Sequence, residues 1–308
     1  MRFFHSFKSI NYEFKALVDN VVYYIKRKKR FTSAISYLDK YSYILDNIVP
    51  VETSDKYQNK IWQCWFQGKE NMPPIVQKCT QSVSKYHKDR VIFLDDNNIK
   101  DYIELPEYIL DKYKKGIIPH ANFSDILRLS LLAKYGGCWV DSTIYLTGEI
   151  PQDILSADFF SFQSIYTPLL KNIHNLDDYK MYNNYLNKII NFESPYFIEA
   201  KAGNEIINGV LSLFLEYWKH ENSVKDCLMI DKFFVLTLLH NEKYKNMFLN
   251  MPTYYIENVL IMPRAQFERF DENLFNQIKT KSSVHKMSHK NLKRSPYKDS
   301  LLQHILNE

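Results

Sequence analysis

The stretch ANFSDILRLSLLAKYGGCWVDSTIYLTGEIP, residues 121–151, gathers side chains whose types and spacing could do chemistry. Ser124, Asp125 and Arg128 stand near the start of a helix-like pattern, and Asp125 and Arg128, three apart, project from one helical face. A carboxylate beside a guanidinium can accept hydrogen bonds from hydroxyls while the guanidinium donates to anionic oxygens. The plainer alternative is a surface ion pair. After a Gly-Gly turn, Asp141 is set among Trp139, Val140, Ile144 and Leu146. An acid among such neighbours is costly unless it is paired or binds something, so Asp141 is a candidate to share a pocket with Asp125 and Arg128. The alternative for Asp141 is an acid in a turn at a strand end.

The elements that must position these residues alternate. IWQCWF (61–66) reads as a buried strand, PPIVQKCTQSVSKYH (73–87) as a helix opened by proline, and RVIFLDD (90–96) as a second strand. PEYILDKYKKG (106–116) is a helix stopped by Gly116, residues 121–137 form another closed by the glycine pair, and CWVDSTIYL (138–146) is a strand. This order predicts an α/β fold with a parallel or mixed sheet, which binds ligands at the carboxyl ends of its strands. Beyond residue 150, DFFSFQ (158–163) is a strand candidate, and residues 204–220 and 227–244 are amphipathic helices. The segment 164–200, rich in Asn and Tyr, has no clear period and reads as a loop or an acceptor-site insertion.

Composition agrees with that class. At 308 residues and 45% hydrophobic the chain can bury a large core, while seven glycines and eleven prolines are too few for a many-turned β-sandwich. Charge is uneven: residues 1–30 carry eight Lys or Arg against two acids, and residues 279–298 carry seven and none, which leaves the middle acidic. Residues 1–50 are therefore set apart as a basic amphipathic region and 51–308 as the main domain. Phe7, Ile10, Phe14, Leu17, Val21, Tyr24 and Ile25 recur at helical spacing before the basic run Lys26 to Arg30, which suits a helix on an anionic membrane surface or, equally, one packed on the domain. The four cysteines lack metal-ligand spacing, no stretch reaches the roughly 18 apolar residues of a membrane span, and Lys15, Asp19 and Asn20 interrupt any secretory signal. These features predict a cytoplasmic protein, peripheral on the inner face of the membrane. Basic ends and abundant aromatics raise nucleic-acid binding, but the acidic middle and the lack of any nucleic-acid-binding motif argue against it.

A helix with SDILR, then GG, a bulky pair and Asp-Ser-Thr resembles the DXD-containing sugar-transferase family, which includes yeast initiating α-mannosyltransferases and the glucosylating domains of clostridial toxins. The branch it is most similar to is the capsular polysaccharide synthesis proteins. IWQCWFQGKENMPP and VIFLDDNN extend the resemblance upstream, so it covers residues 60–150 well and the remainder loosely. The resemblance implies a GT-A-like, Rossmann-type domain with extra helices at both ends. It also implies a retaining glycosyltransferase that uses a nucleotide-sugar donor and a lipid-linked or polysaccharide acceptor in bacterial surface polysaccharide synthesis. The other reading of an altered motif is a transferase fold that has lost turnover and serves as a scaffold.

Carried over residue by residue, the resemblance implies that Trp65 stacks on the donor base and Asn97 contacts base or ribose. Ser124, Asp125 and Arg128 hold the sugar, with Trp139 beside them. Asp141 takes the first DxD position. The second aspartate, the direct metal ligand, is replaced by Thr143, so Mg²⁺ or Mn²⁺ at Asp141, Thr143 and a C-terminal histidine such as His285 would have one carboxylate fewer. The charge of a leaving diphosphate must be neutralised either by that metal or by Lys and Arg. SVHKMSHK (283–290), similar to the closing segment of capsular-type enzymes, supplies Lys286 and Lys290 unless it is a solvated basic tail. Asp231, acidic within an apolar helix, either faces the acceptor or lies on a wet helix face.

Overall fold

In a computed structural model that describes residues 29–185, 194–226, 228–290 and 297–308, the chain forms a mixed α/β fold. The amphipathic helix expected within residues 1–30 lies, up to residue 28, outside the described residues. A helix over residues 29–38, α1, leads into a 3-10 segment at Asp39–Asn47, and Phe31, Ile35, Leu38, Tyr41 and Leu45 enter the same core as the helices that follow.

Strands β1 (Ile61–Cys64) and β2 (Val91–Leu94) are joined through helix α2 (Pro74–His87) and pair in parallel, Ile61 opposite Val91 and Cys64 opposite Leu94. Helices α3 (Glu107–Lys114) and α4 (His120–Tyr135) then lead to β3 (Gly137–Val140), parallel to β1 on its other side. Here the expected 138–146 strand divides. Residues 141–143 form a turn closed by Ile144 N–H donating to the Asp141 carbonyl at 2.8 Å, and β4 (Ile144–Leu146) leaves for a second sheet. Asp141 thus stands at the carboxyl end of β3 rather than inside a strand.

After the short helix α5 (Gln152–Leu155), strands β5 (Phe159–Ser161) and, beyond helix α6 (Leu176–Tyr185), β6 (Phe197–Ala200) complete the main sheet, ordered β2-β1-β3-β6-β5 with β6 antiparallel to both neighbours. This mixed sheet, with helices packed on it, is the α/β class expected of a GT-A-like domain. β6 lies in the segment that reads as a loop or insertion; every one of its residues is buried, so it shows no alternation. Helix α7 (Glu205–His220) packs on α4 and helix α8 (Met229–His240) packs on α7, and the predicted 227–244 helix ends early where the Asn241 side chain caps its successor. Strand β7 (Val284–Lys286) pairs antiparallel with β4, Ile144 opposite Lys286, so part of the basic C-terminal run is structural.

Two local features fix α4 and β3 against β1. Helix α4 is buried nearly all round, polar Asn122, Asp125, Arg128 and Ser130 included, as a helix packed on both sides is. The glycine pair that ends it has φ of +67° and +88°, and a Cβ on Gly137 would come within 2.2 Å of the Lys60 carbonyl oxygen. Only glycine allows both the left-handed backbone and this approach. The carbonyl of Gly136 also accepts a 2.9 Å hydrogen bond from the buried Trp62 indole, which locks the turn to β1.

Candidate active site

The carboxyl ends of β1 and β3 open into a cavity of about 550 Å³, in the range of small-molecule sites. Its central group is Asp141. One carboxylate oxygen, Oδ1, accepts from Trp139 Nε1 at 2.8 Å and from Arg128 Nη2 at 3.2 Å; the other, Oδ2, accepts from Lys286 Nζ at 2.6 Å. Burial pushes the Asp141 pKa up, but the charges of Lys286 and Arg128 and the bonds from Lys286 and Trp139 outweigh it and hold the carboxyl below its usual range. Asp141 is therefore ionised across the physiological range.

Arg128 is fixed from several sides. Its Nη1 donates to the Pro195 carbonyl at 2.6 Å and lies 3.2 Å from Asp125 Oδ1, and its guanidinium carbon sits 5.1 Å from the centre of the Trp139 ring. Its Nε–H is buried with no hydrogen-bond partner among the described residues. Asp125 behaves in the opposite way to Asp141. Burial pushes its carboxyl up to about 7; Asp231 and Asp141 add to the rise, and Arg128 only partly opposes it. Two carboxyl groups in one cavity thus hold their protons at very different pH, the pattern of a functional pair.

Most of the residues singled out in the sequence converge here. Trp65, Ser124, Asp125, Arg128, Trp139, Asp141, Thr143 and Lys286 all line the cavity, as do His289 and Lys290. Trp65 meets the His289 ring edge-to-face at 5.7 Å, and burial, aided by Lys290 and Lys286, lowers the His289 pKa. The Trp65 indole N–H is buried without a partner among the described residues. Asp231 is buried on α8 near Asp125 but does not line the cavity. Asn97 does not line it either: its backbone N–H donates to Asp95 Oδ1 in the turn after β2, and its side chain is exposed.

His285 is also elsewhere. Successive residues of a strand face opposite ways, so with Lys286 in the cavity His285 turns into the protein, where its Nε2 lies 3.1 Å from Thr147 Oγ1. Burial lowers its pKa to about 4. Sequence reasoning missed Tyr196, which lines the cavity with its ring 5.0 Å from Lys286 Nζ. Its backbone carbonyl accepts from Asp141 N–H at 2.9 Å. No period in the 164–200 segment marked it.

The Mg²⁺ or Mn²⁺ expected at Asp141, Thr143 and His285 does not suit this donor set. Such hard cations want several oxygen ligands, with carboxylates supplying the charge. Asp141 is the single carboxylate of the expected ligand set, and both its oxygens already accept from N–H donors. Thr143 offers a neutral hydroxyl that itself accepts from Lys286 Nζ at 2.6 Å, and His285 faces away. Among the described residues, no group of three or more His, Cys, Asp or Glu side chains converges as metal ligands do.

Comparison with known proteins adds three findings. A family model described as capsular polysaccharide synthesis protein matches residues 17–305. The chain is 27% identical over 202 residues to the O-glycosyltransferase braB of Annulohypoxylon truncatum, a match that takes in 56% of this chain and 40% of that protein, so the chain spans less than half the length of this relative. Among solved structures, the PaToxG glycosyltransferase aligns with a TM-score of 0.40 at 16% identity, over 84% of this chain and 99% of that one.

Proposed function

The chain belongs to the capsular polysaccharide synthesis protein family, and on that premise we propose that it is a glycosyltransferase, moving a sugar from a nucleoside diphosphate donor to a lipid-linked oligosaccharide or polysaccharide acceptor. One observation carries this reading: Arg128, Asp141 and Lys286 are bonded together in a cavity that Trp65 also lines. Two cations and one ionised carboxylate leave a net positive charge when Asp125 is protonated, which suits an anionic leaving group.

Each neighbour has a role in that chemistry. Trp65, backed by His289, offers a flat face for the donor base. Arg128 keeps its Nε–H for a sugar or phosphate oxygen. A carboxylate has about four acceptor sites, and Asp141 uses three, so one is left for a ribose or sugar hydroxyl. Asp125 and Ser124 hold the transferred sugar. Family membership supports retention of anomeric configuration.

The basic segment at the N-terminus supports approach to an anionic membrane, where a lipid-linked acceptor would be met. Among the described residues no helix is long and apolar enough to cross a membrane.

The test is release of nucleoside diphosphate from a panel of nucleotide sugars. Asp141→Ala and Arg128→Ala should each lower transfer by ~100-fold or more while far-UV circular dichroism stays unchanged. Wild-type rates in Asp141→Ala remove the reading.

A further inference from the structure

In a DxD site the metal is held by side chains two residues apart; here those side chains, Asp141 and Thr143, both bind Lys286 Nζ, each at 2.6 Å. We propose that the Lys286 ammonium takes the place of the divalent cation and binds the diphosphate of the donor directly, so that transfer needs no metal. This rests on the glycosyltransferase reading above and adds to it the identity of the group that stabilises the leaving group.

The geometry supports the assignment in three ways. An ammonium has three N–H donors; Asp141 and Thr143 take two, and the third is left in the cavity that Lys286 lines. Position is imposed by the backbone, because β7 pairs with β4 so that Lys286 stands opposite Ile144, one residue after Thr143. Met287 N–H also donates to the Thr143 carbonyl at 2.8 Å, which ties the two segments together beside the ammonium. Finally, an acid at position 143 would favour a metal, whereas a hydroxyl accepts from the ammonium and can donate its own O–H onward.

In the reaction, the bond from the sugar anomeric carbon to the phosphate oxygen breaks and its electron pair stays on that oxygen. The acceptor hydroxyl oxygen bonds to the anomeric carbon, and its proton leaves with the diphosphate. Lys286 and Arg128 supply positive charge to the oxygen on which negative charge grows, as a Lewis-acid metal would otherwise do.

Calorimetric titration of the full chain with UDP, GDP, ADP and CDP, in EDTA and then in Mg²⁺ or Mn²⁺, tests this. At least one nucleotide should bind in EDTA, with a dissociation constant that added metal changes by no more than ~2-fold. Lys286→Met, of similar length but uncharged, should weaken that binding by ~10- to 100-fold, the range for hydrogen bonds to charged groups. Lys286→Arg, which keeps the charge, should stay within ~10-fold of wild type and guards against mistaking a folding defect for lost binding. Binding that requires metal, or a Lys286→Met variant that binds in EDTA as wild type does, overturns the proposal while leaving the glycosyltransferase reading intact. Absence of binding by every nucleotide, with and without metal, overturns both.

Discussion

Replacing Asp125 by asparagine isolates what it costs the fold to hold a carboxyl group in this cavity. The Asp125 side chain is only 9% exposed, and burial pushes its pKa up to about 7 although Arg128 Nη1 is 3.2 Å away. At low pH the group is protonated in both folded and unfolded chains and contributes nothing to the pH dependence. As pH rises through the ordinary 3.8, the unfolded chain ionises first, so stability is lost progressively until the folded group ionises near 7 and is constant above that. The gap between 3.8 and about 7, at ~1.4 kcal/mol per pH unit, amounts to ~4 kcal/mol. Asn has the same shape and cannot ionise, so Asp125→Asn should gain on wild type by that amount between pH 4 and 7 and hold the gain above. Urea unfolding of both proteins at half-unit pH intervals measures the difference, and the other titrating groups they share largely cancel in it. Transfer should fall in the same variant, because Asn keeps one acceptor oxygen but puts an NH₂ donor where the second carboxylate oxygen stood. Parallel stability profiles, or a wild type that gains on the variant as pH rises, would show that Arg128 balances or outweighs burial and that Asp125 is an ordinary ion pair.

Two further outcomes test the donor and membrane readings. Trp65→Ala should raise the Michaelis constant for the nucleotide sugar by ~10- to 100-fold, as loss of a base–aromatic stack does, with turnover at saturation little changed; an unchanged Michaelis constant would return Trp65 to the core. Liposomes containing anionic lipid should bind the full chain, more weakly as salt rises, and a chain lacking residues 1–30 should bind much less; equal binding by the two would dismiss the basic N-terminal segment as an anchor.

What the sequence made legible was local. Ser124, Asp125 and Arg128 share a helix, the glycine pair marks its end, and Asp141 follows four residues after Gly137; helical spacing and turn chemistry are enough to predict that they meet. Pairings that depend on distant chain were not legible. Strand β6 is buried on both faces and shows no alternation, so Tyr196 and the Pro195 carbonyl that hold Asp141 and Arg128 were hidden in a segment without a period. The break of the 138–146 stretch into two strands was equally hidden, because apolar residues on either side of Asp141 continue a strand pattern that only the departure of β4 toward β7 interrupts.

The sharpest case is the adjacent pair His285 and Lys286. As residue types, histidine is the better metal ligand and lysine the better phosphate partner, and composition offers both at the same place in the chain. The pleat admits only one of them to the cavity. β4 pairs with β7 so that Ile144 opposes Lys286, and a slip by one residue would exchange the two side chains between cavity and core. The observed register buries a histidine whose pKa falls to about 4, which suits a neutral ring in the interior, and places the ammonium between Asp141 and Thr143. The reverse register would bury a lysine away from these two partners, at a desolvation cost of several kcal/mol. The same electrostatics that determines which residue can be buried therefore determines which cation faces the donor. Thr143 and Lys286 complement each other for the same reason, since a hydroxyl is enough to accept from the ammonium whereas a carboxylate at position 143 would favour a metal.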